Sequence, residues 1–208
     1  MESRLRTGID VLDRKLDGGL PAGSIVALTA DPASQAELFL YEMTATRQTL
    51  YLTLSRTSDA VIDGFSSTRA ATGQPTVRDV TGSAPLDTTS RLVTTLPESC
   101  NLIIDPANIL ESQDGDRYRN FLNELRNHIS NTNGVAVLHC LDGRDIPARR
   151  DTTEHMADVI FDLETRVNGD RVENRLTVPK FRGGRAIPEV IKLELADRVA
   201  IDTSRDIA

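Results

Sequence analysis

The residues from 24 to 37, SIVALTADPASQAE, have the outline of a phosphate-binding unit. Residues 24–28 are a short apolar run, residues 30–34 a small-residue turn holding Pro32, and residues 33–46 a helical stretch, which together predict strand, loop and helix. A loop of pattern G-x-x-x-x-G-K-[ST] binds phosphate because its glycines let backbone N–H groups approach, its lysine adds charge and its hydroxyl holds Mg²⁺. The same slots here hold Ala30, Asp31, Pro32, Ala33, Ser34, Gln35, Ala36 and Glu37. Ala36 has no ammonium group, while Asp31 and Glu37 bring negative charge to where phosphates and their metal would lie. Two like charges at about 4 Å repel by about 4 kcal/mol at an effective dielectric of about 20. Each ~1.4 kcal/mol is tenfold in affinity, so a micromolar site would be lost. The frame is kept and its chemistry is not.

Other chemistry-bearing residues are sparse. Residues 101–105, NLIID, read as a buried strand that ends in the carboxylate of Asp105, as parallel strands covered on both faces do. That carboxylate could serve a metal or cap the turn at Pro106. A further strand, residues 135–138, runs into His139, which reads as a histidine satisfied by its neighbours. Residues 141–155, LDGRDIPARRDTTEH, gather Arg144, Arg149 and Arg150 among Asp142, Asp145 and Asp151. The small net charge and the lack of an aromatic for base stacking favour a solvated loop over a nucleic-acid contact. Cys100 and Cys140 lie at or within apolar runs without metal-ligand spacing, which predicts buried thiols in a reducing compartment. No metal site is expected.

The elements that must position these residues follow from periodicity. Ile9, Leu12 and Leu16 share a helical face that Asp17-Gly18-Gly19 ends. Residues 49–54 form a strand after the loop helix, so strand, helix and strand predict a right-handed parallel crossover. Residues 58–70 read as a helix, 77–80 as a short strand, 88–95 as a short helix. Residues 114–131 read as a longer helix with Tyr118, Phe121, Leu122, Leu125 and Ile129 inward. From Met156 onward the period changes. Residues 157–164, 172–178 and 189–195 are strand-like and separated by Asn168-Gly169 and Gly183-Gly184, which predicts antiparallel strands. A single domain over residues 1–208 is expected, with an N-terminal helix and turn to about residue 23 and a tail from about residue 196.

Residues 7–23, TGIDVLDRKLDGGLPAG, resemble the T-G-x-x-x-L-D-x-x-L-x-G-G-[LI]-x-x-G signature of the KaiC-like family of RecA-fold ATPases. Thr7, Gly8, Leu12, Asp13, Leu16, Gly18, Gly19, Leu20 and Gly23 all fall in place. The far end also resembles the family: Ala157, Asp158, Val159 and Leu163, then Arg175, Leu176, Val178, Lys180, Arg182 and Gly183. The resemblance implies a three-layer α/β fold with a mainly parallel central sheet, and makes Asp105 the Walker B carboxylate beside the nucleotide's Mg²⁺. It places an activating acid at the end of the second strand, where this chain has Ser55, Arg56 and Thr57. It implies a role for Lys180 and Arg182 at a neighbouring subunit's nucleotide, and turns the 141–155 loop towards a ring or filament axis where some relatives bind DNA.

Composition bounds the rest. The chain has 31 acidic and 24 basic residues, and only Lys15, Lys180 and Lys192 are lysines. A lysine-poor acidic surface fits a high-salt, archaeal-type cytoplasm in which repulsion is screened. A net charge of -7 opposes broad nucleic-acid binding. No run of residues is apolar enough to span a membrane, and residues 1–8 do not read as a signal peptide. The expected function is a catalytically silent, regulatory RecA/KaiC-like domain that binds protein, either itself or an active paralogue, and takes no cofactor. One alternative is an ATPase with an atypical loop, in which Ser34 and Asp105 share Mg²⁺. The other is a DNA-associated accessory protein using Arg144, Arg149 and Arg150.

Overall fold

The structure, a computed structural model, describes residues 3–185 and 187–203. The chain runs β1 (Arg4–Leu5), α1 (Asp10–Lys15), β2 (Leu20–Pro21), β3 (Ser24–Ala30), α2 (Glu37–Met43), β4 (Thr49–Thr53), α3 (Ser58–Ser67), β5 (Thr76–Asp79) and α4 (Pro85–Val93). It continues with β6 (Asn101–Asp105), α5 (Asn108–Glu111), α6 (Gly115–Thr132), β7 (Val135–Leu141), α7 (Arg150–Met156), β8 (Val159–Asn168), β9 (Arg171–Phe181), β10 (Ile187–Leu195) and β11 (Val199–Ile201). One large sheet has the order β11-β10-β9-β8-β3-β7-β6-β4-β5. Pairing is parallel from β8 through β5 and antiparallel from β8 out to β11.

The parallel half is built from strands buried on both faces, and every residue of β3 and β6 is buried. Their continuous apolar runs follow from that, since alternation appears only where one face is wet. Val26, Leu28, Tyr51, Ile103 and Val137 pack with α1, α2 and α3 on one face. Ile25, Ala27, Leu52, Ile104 and Leu138 pack with α4, α5 and α6 on the other. The result is the expected three-layer α/β fold, with the antiparallel strands carried on one side.

Several local expectations need correction. Residues 33–36 form a turn, and the loop helix starts only at Glu37. Residues 141–155 are not wholly a loop, because α7 begins at Arg150. The expected tail from residue 196 contains β11, paired with β10. The paired glycines ahead of the loop have a steric cause. Gly19 has φ of 121°, and a Cβ there would sit 2.2 Å from the Leu5 carbonyl oxygen, where β1 passes β2. Among the described residues no helix is long and apolar enough to cross a membrane.

Candidate functional site

The carboxyl ends of β3, β7, β6 and β4 bring the loop 31–36, His139, Asp105 and the turn after Thr53 to one edge of the sheet. Because β7 lies between β3 and β6, His139 stands between the loop and Asp105. The turn after β4 is held from both sides: the Thr53 hydroxyl accepts from the Arg56 N–H at 3.2 Å and donates to the Arg56 carbonyl at 3.1 Å. The Thr57 side chain then caps α3 by accepting from Ala60 N–H. Between two such anchors Arg56 has little freedom, and its side chain is aimed across the cleft.

There it closes the site. Arg56 Nη1 lies 2.7 Å from Glu37 Oε1, and Nη2 lies 2.7 Å from Asp105 Oδ2. The guanidinium therefore ties the start of α2 to the end of β6. Tyr51 donates its hydroxyl to the same Asp105 oxygen at 2.5 Å, and His139 Nδ1 lies 2.7 Å from Oδ1. Tyr41, one turn into α2, donates to Glu37 Oε2 at 3.3 Å. What space remains is a cavity of about 140 Å³ lined by Ser34, Ala36, Ser55, Arg56, Asp105 and His139 among others.

Burial alone would raise the Asp105 pKa, but the hydrogen bond and charge of His139, the Tyr51 hydroxyl and Arg56 outweigh it and hold the carboxyl down at about 2. An ionised carboxylate only accepts, so His139 Nδ1 carries the hydrogen. Its Nε2 is buried with no partner among the described residues. Burial would lower Arg56, yet the carboxylates of Asp105 and Glu37 raise it overall, which keeps it cationic. Tyr51 is pushed well up by burial and then by Asp105, so it remains a hydroxyl donor. Glu37 and Asp105 thus share the single positive charge of one side chain of the same chain. The electrostatic cost inferred from the sequence is replaced by occupancy, since the guanidinium fills the place between the carboxylates.

The loop is also satisfied from within. The Asp31 carboxylate accepts from Ala33 N–H at 2.6 Å, Ser34 N–H donates to the Asp31 carbonyl at 2.9 Å, and the Ser34 hydroxyl accepts from Ala36 N–H at 3.3 Å. Those N–H groups are the ones a phosphate would have to recruit. Gln35 is exposed and Ala30 is buried at the end of β3. Ser55, at the position where the family carries its acid, is exposed at the cleft. Among the described residues no group of three or more His, Cys, Asp or Glu side chains could hold a metal ion.

The remaining sequence candidates are dispersed. Arg150 is buried, not a surface arginine: Nη2 lies 3.0 Å from Glu111 Oε2, and Nε donates to the same carboxylate. Thr153 donates to Glu111 at 2.6 Å, and Tyr118 shares a hydrogen bond with Thr153 at 2.7 Å. Arg144 is exposed and Arg149 half-buried against Gly115, so the three arginines present no common face. Lys180 Nζ donates to the carbonyls of Glu154 and His155 at 2.7 Å each, and Arg182 Nη2 to that of His155 at 3.0 Å. Both therefore cap the carboxyl end of α7 in their own chain. Cys100 and Cys140 are buried free thiols, as expected. Sequence reasoning missed Arg56, Tyr51, Tyr41 and Glu111 as site or network residues. A signal for Arg56 was present, because the loop's lysine and hydroxyl positions hold Ala36 and Glu37 while an arginine directly follows Ser55 at the facing strand end.

The mainly parallel sheet, the strand-loop-helix at its carboxyl edge and the antiparallel extension make up a KaiC/RecA-like fold. The crystal structure of a KaiC-like protein, PH0186, from the hyperthermophilic archaeon Pyrococcus horikoshii OT3 superposes with a TM-score of 0.77 over 96% of this chain and 100% of that one, at 16% identity. At that identity the likeness is one of fold. Residues 4–208 match the model of a family described as a family of unknown function (DUF7125), and the chain belongs to that family. No curated protein matches it.

Proposed function

We propose that this chain is a catalytically silent KaiC/RecA-like domain whose nucleotide cleft is closed by its own Arg56, and that it acts by binding protein, either a second copy or a KaiC/RecA-like paralogue, in a regulatory role. The observation that carries this reading is the guanidinium bridge from Glu37 to Asp105, with both contacts at 2.7 Å. A phosphate group and its metal would need the same space and the same carboxylate. The self-satisfied loop adds to this, since three of its N–H groups already donate within residues 31–36. In this reading Ala30, Asp31, Pro32, Ala33, Ser34, Gln35, Ala36, Glu37 and Asp105 are a structural joint between strand and helix, with no cofactor. Lys180 and Arg182 serve α7, so the proposed contact with a partner does not depend on them.

The decisive experiment is a calorimetric titration of the full chain with ATP and Mg²⁺. No binding heat up to millimolar ATP is expected. Micromolar binding would overturn the silent-domain reading and favour the ATPase with an atypical loop.

A further inference from the structure

A cavity of about 690 Å³ lies away from the closed cleft, at the other end of α2, where α1 and the stretch after α3 meet β11. Arg14 from α1, Arg69 after α3 and Arg198 before β11 line it, together with the carboxylates of Asp10, Glu42 and Asp197. Arg14 and Arg198 make no hydrogen bond or ion pair among the described residues, and Arg69 reaches Asp197 only at 3.4 Å. The two guanidinium groups left without acceptors, those of Arg14 and Arg198, are suited to a dianion, whose oxygens match their forked donors, while Arg69 is already engaged by Asp197. The cavity also has an acidic floor. Glu42 is 5% exposed, and its Oε1 accepts from Val199 N–H at 2.6 Å. Burial raises the Glu42 pKa, the Val199 hydrogen bond and Arg198 oppose that rise, and the Asp10 charge adds to it. A buried carboxyl beside arginines rejects a bare anion and accepts N–H or O–H donors. The volume falls within the range of about 300–1,000 Å³ typical of small-ligand sites.

We propose that this cavity binds a nucleotide-sized phosphate ester, its phosphate held by Arg14 and Arg198 and its hydroxyl- or amino-bearing body set against the carboxylates of Asp10 and Glu42. The site is independent of the closed cleft, and nothing in it requires Arg56 or Asp105.

The test is calorimetry on the full chain with adenosine monophosphate, ribose 5-phosphate and inorganic phosphate in turn, for the wild type and for Arg14→Gln with Arg198→Gln. Both residues are exposed, so the double variant keeps the wild-type denaturation midpoint, which is measured alongside. At least one ester binds with a Kd below about 1 mM, more tightly than inorganic phosphate, and the double variant binds it at least tenfold more weakly. Three outcomes overturn the proposal: no ester binds, inorganic phosphate binds as tightly as the esters, or the double variant binds as the wild type does. Binding that survives the double substitution but is lost on Arg56→Ala would place the ligand in the cleft and count against the silent-domain reading instead.

Discussion

Arg56 and Glu37 face one another across the cleft with Nη1 2.7 Å from Oε1, so the positive charge sits at the strand end and the negative charge on the loop helix. A phosphate loop of the kind outlined at residues 30–37 has the opposite order, with its cation on the loop. The two substitutions are consistent with each other: either alone would leave a like-charged pair or an unbalanced charge beside Asp105. The bridge that results joins α2, β4 and β6 through a single side chain.

Removing that side chain therefore leaves two carboxylates near a buried strand end. Arg56→Ala is expected to lower stability by about 2 kcal/mol, below the ~3–5 kcal/mol of a fully buried broken pair because Arg56 is partly exposed. In urea denaturation, Arg56→Ala with Asp105→Asn should lose less than the sum of the two single variants. Strict additivity would mean that the bridge contributes nothing.

The pH dependence has a definite sign. Asp105 falls from an ordinary value of 3.8 to about 2 in the folded chain, so the unfolded state binds a proton first as pH drops. The stability it contributes is fully present above about pH 5 and is lost as pH falls through the window from about 4 to about 2. That depression corresponds to about 2.5 kcal/mol of stability. The wild type should lose that amount relative to Asp105→Asn across the window, and parallel acid limbs for the two proteins would refute the assignment.

The Glu111–Arg150 pair is the most deeply buried ion pair among the described residues, with side-chain exposures of 0% and 6%. Glu111→Gln leaves the guanidinium without its counter-charge and should cost about 3 kcal/mol. Arg150→Met in the same background should recover part of that loss in the denaturation midpoint, which a purely steric defect at Glu111 would not allow.

Lys180→Ala and Arg182→Ala test whether these residues work for their own chain. Each removes donors from the last carbonyls of α7, and a loss of about 1 kcal/mol per substitution is expected for the isolated protein. An unchanged melting curve would point to a role across a subunit boundary instead.

The lysine-poor, acidic composition leads to an expectation for salt. If the chain is adapted to concentrated KCl, its denaturation midpoint should rise as KCl is added, because screening relieves repulsion among 31 acidic residues opposed by 24 basic ones. A midpoint already maximal at low salt would exclude that adaptation.

Much of the frame was legible in the sequence because β3, β6 and β7 are uninterrupted apolar runs and α6 carries a stripe from Tyr118 to Ile129, patterns that burial imposes. The site was legible only as a set of missing groups. Arg56 meets Asp105 from 49 residues away, and no local period marks a side chain whose partners come from two other elements. α7 escaped for a different reason: its buried positions are Arg150 and Thr153, so its inward face is polar and reads as solvated until Glu111 is seen beneath it. The short β11 pairs with the preceding β10 but is also tied to Glu42, 157 residues away, by the Val199 N–H.

A tethered cation differs from a diffusible one in how it answers to the cell. The guanidinium of Arg56 is present at one equivalent per chain whatever the surroundings hold, and it arrives when the polypeptide folds. If the proposed silent-domain reading holds, a cleft filled in this way has no loading step and no turnover. Its state would then not follow the ratio of triphosphate to diphosphate or the supply of magnesium. The closing of this cleft would be timed by synthesis and degradation of the chain alone.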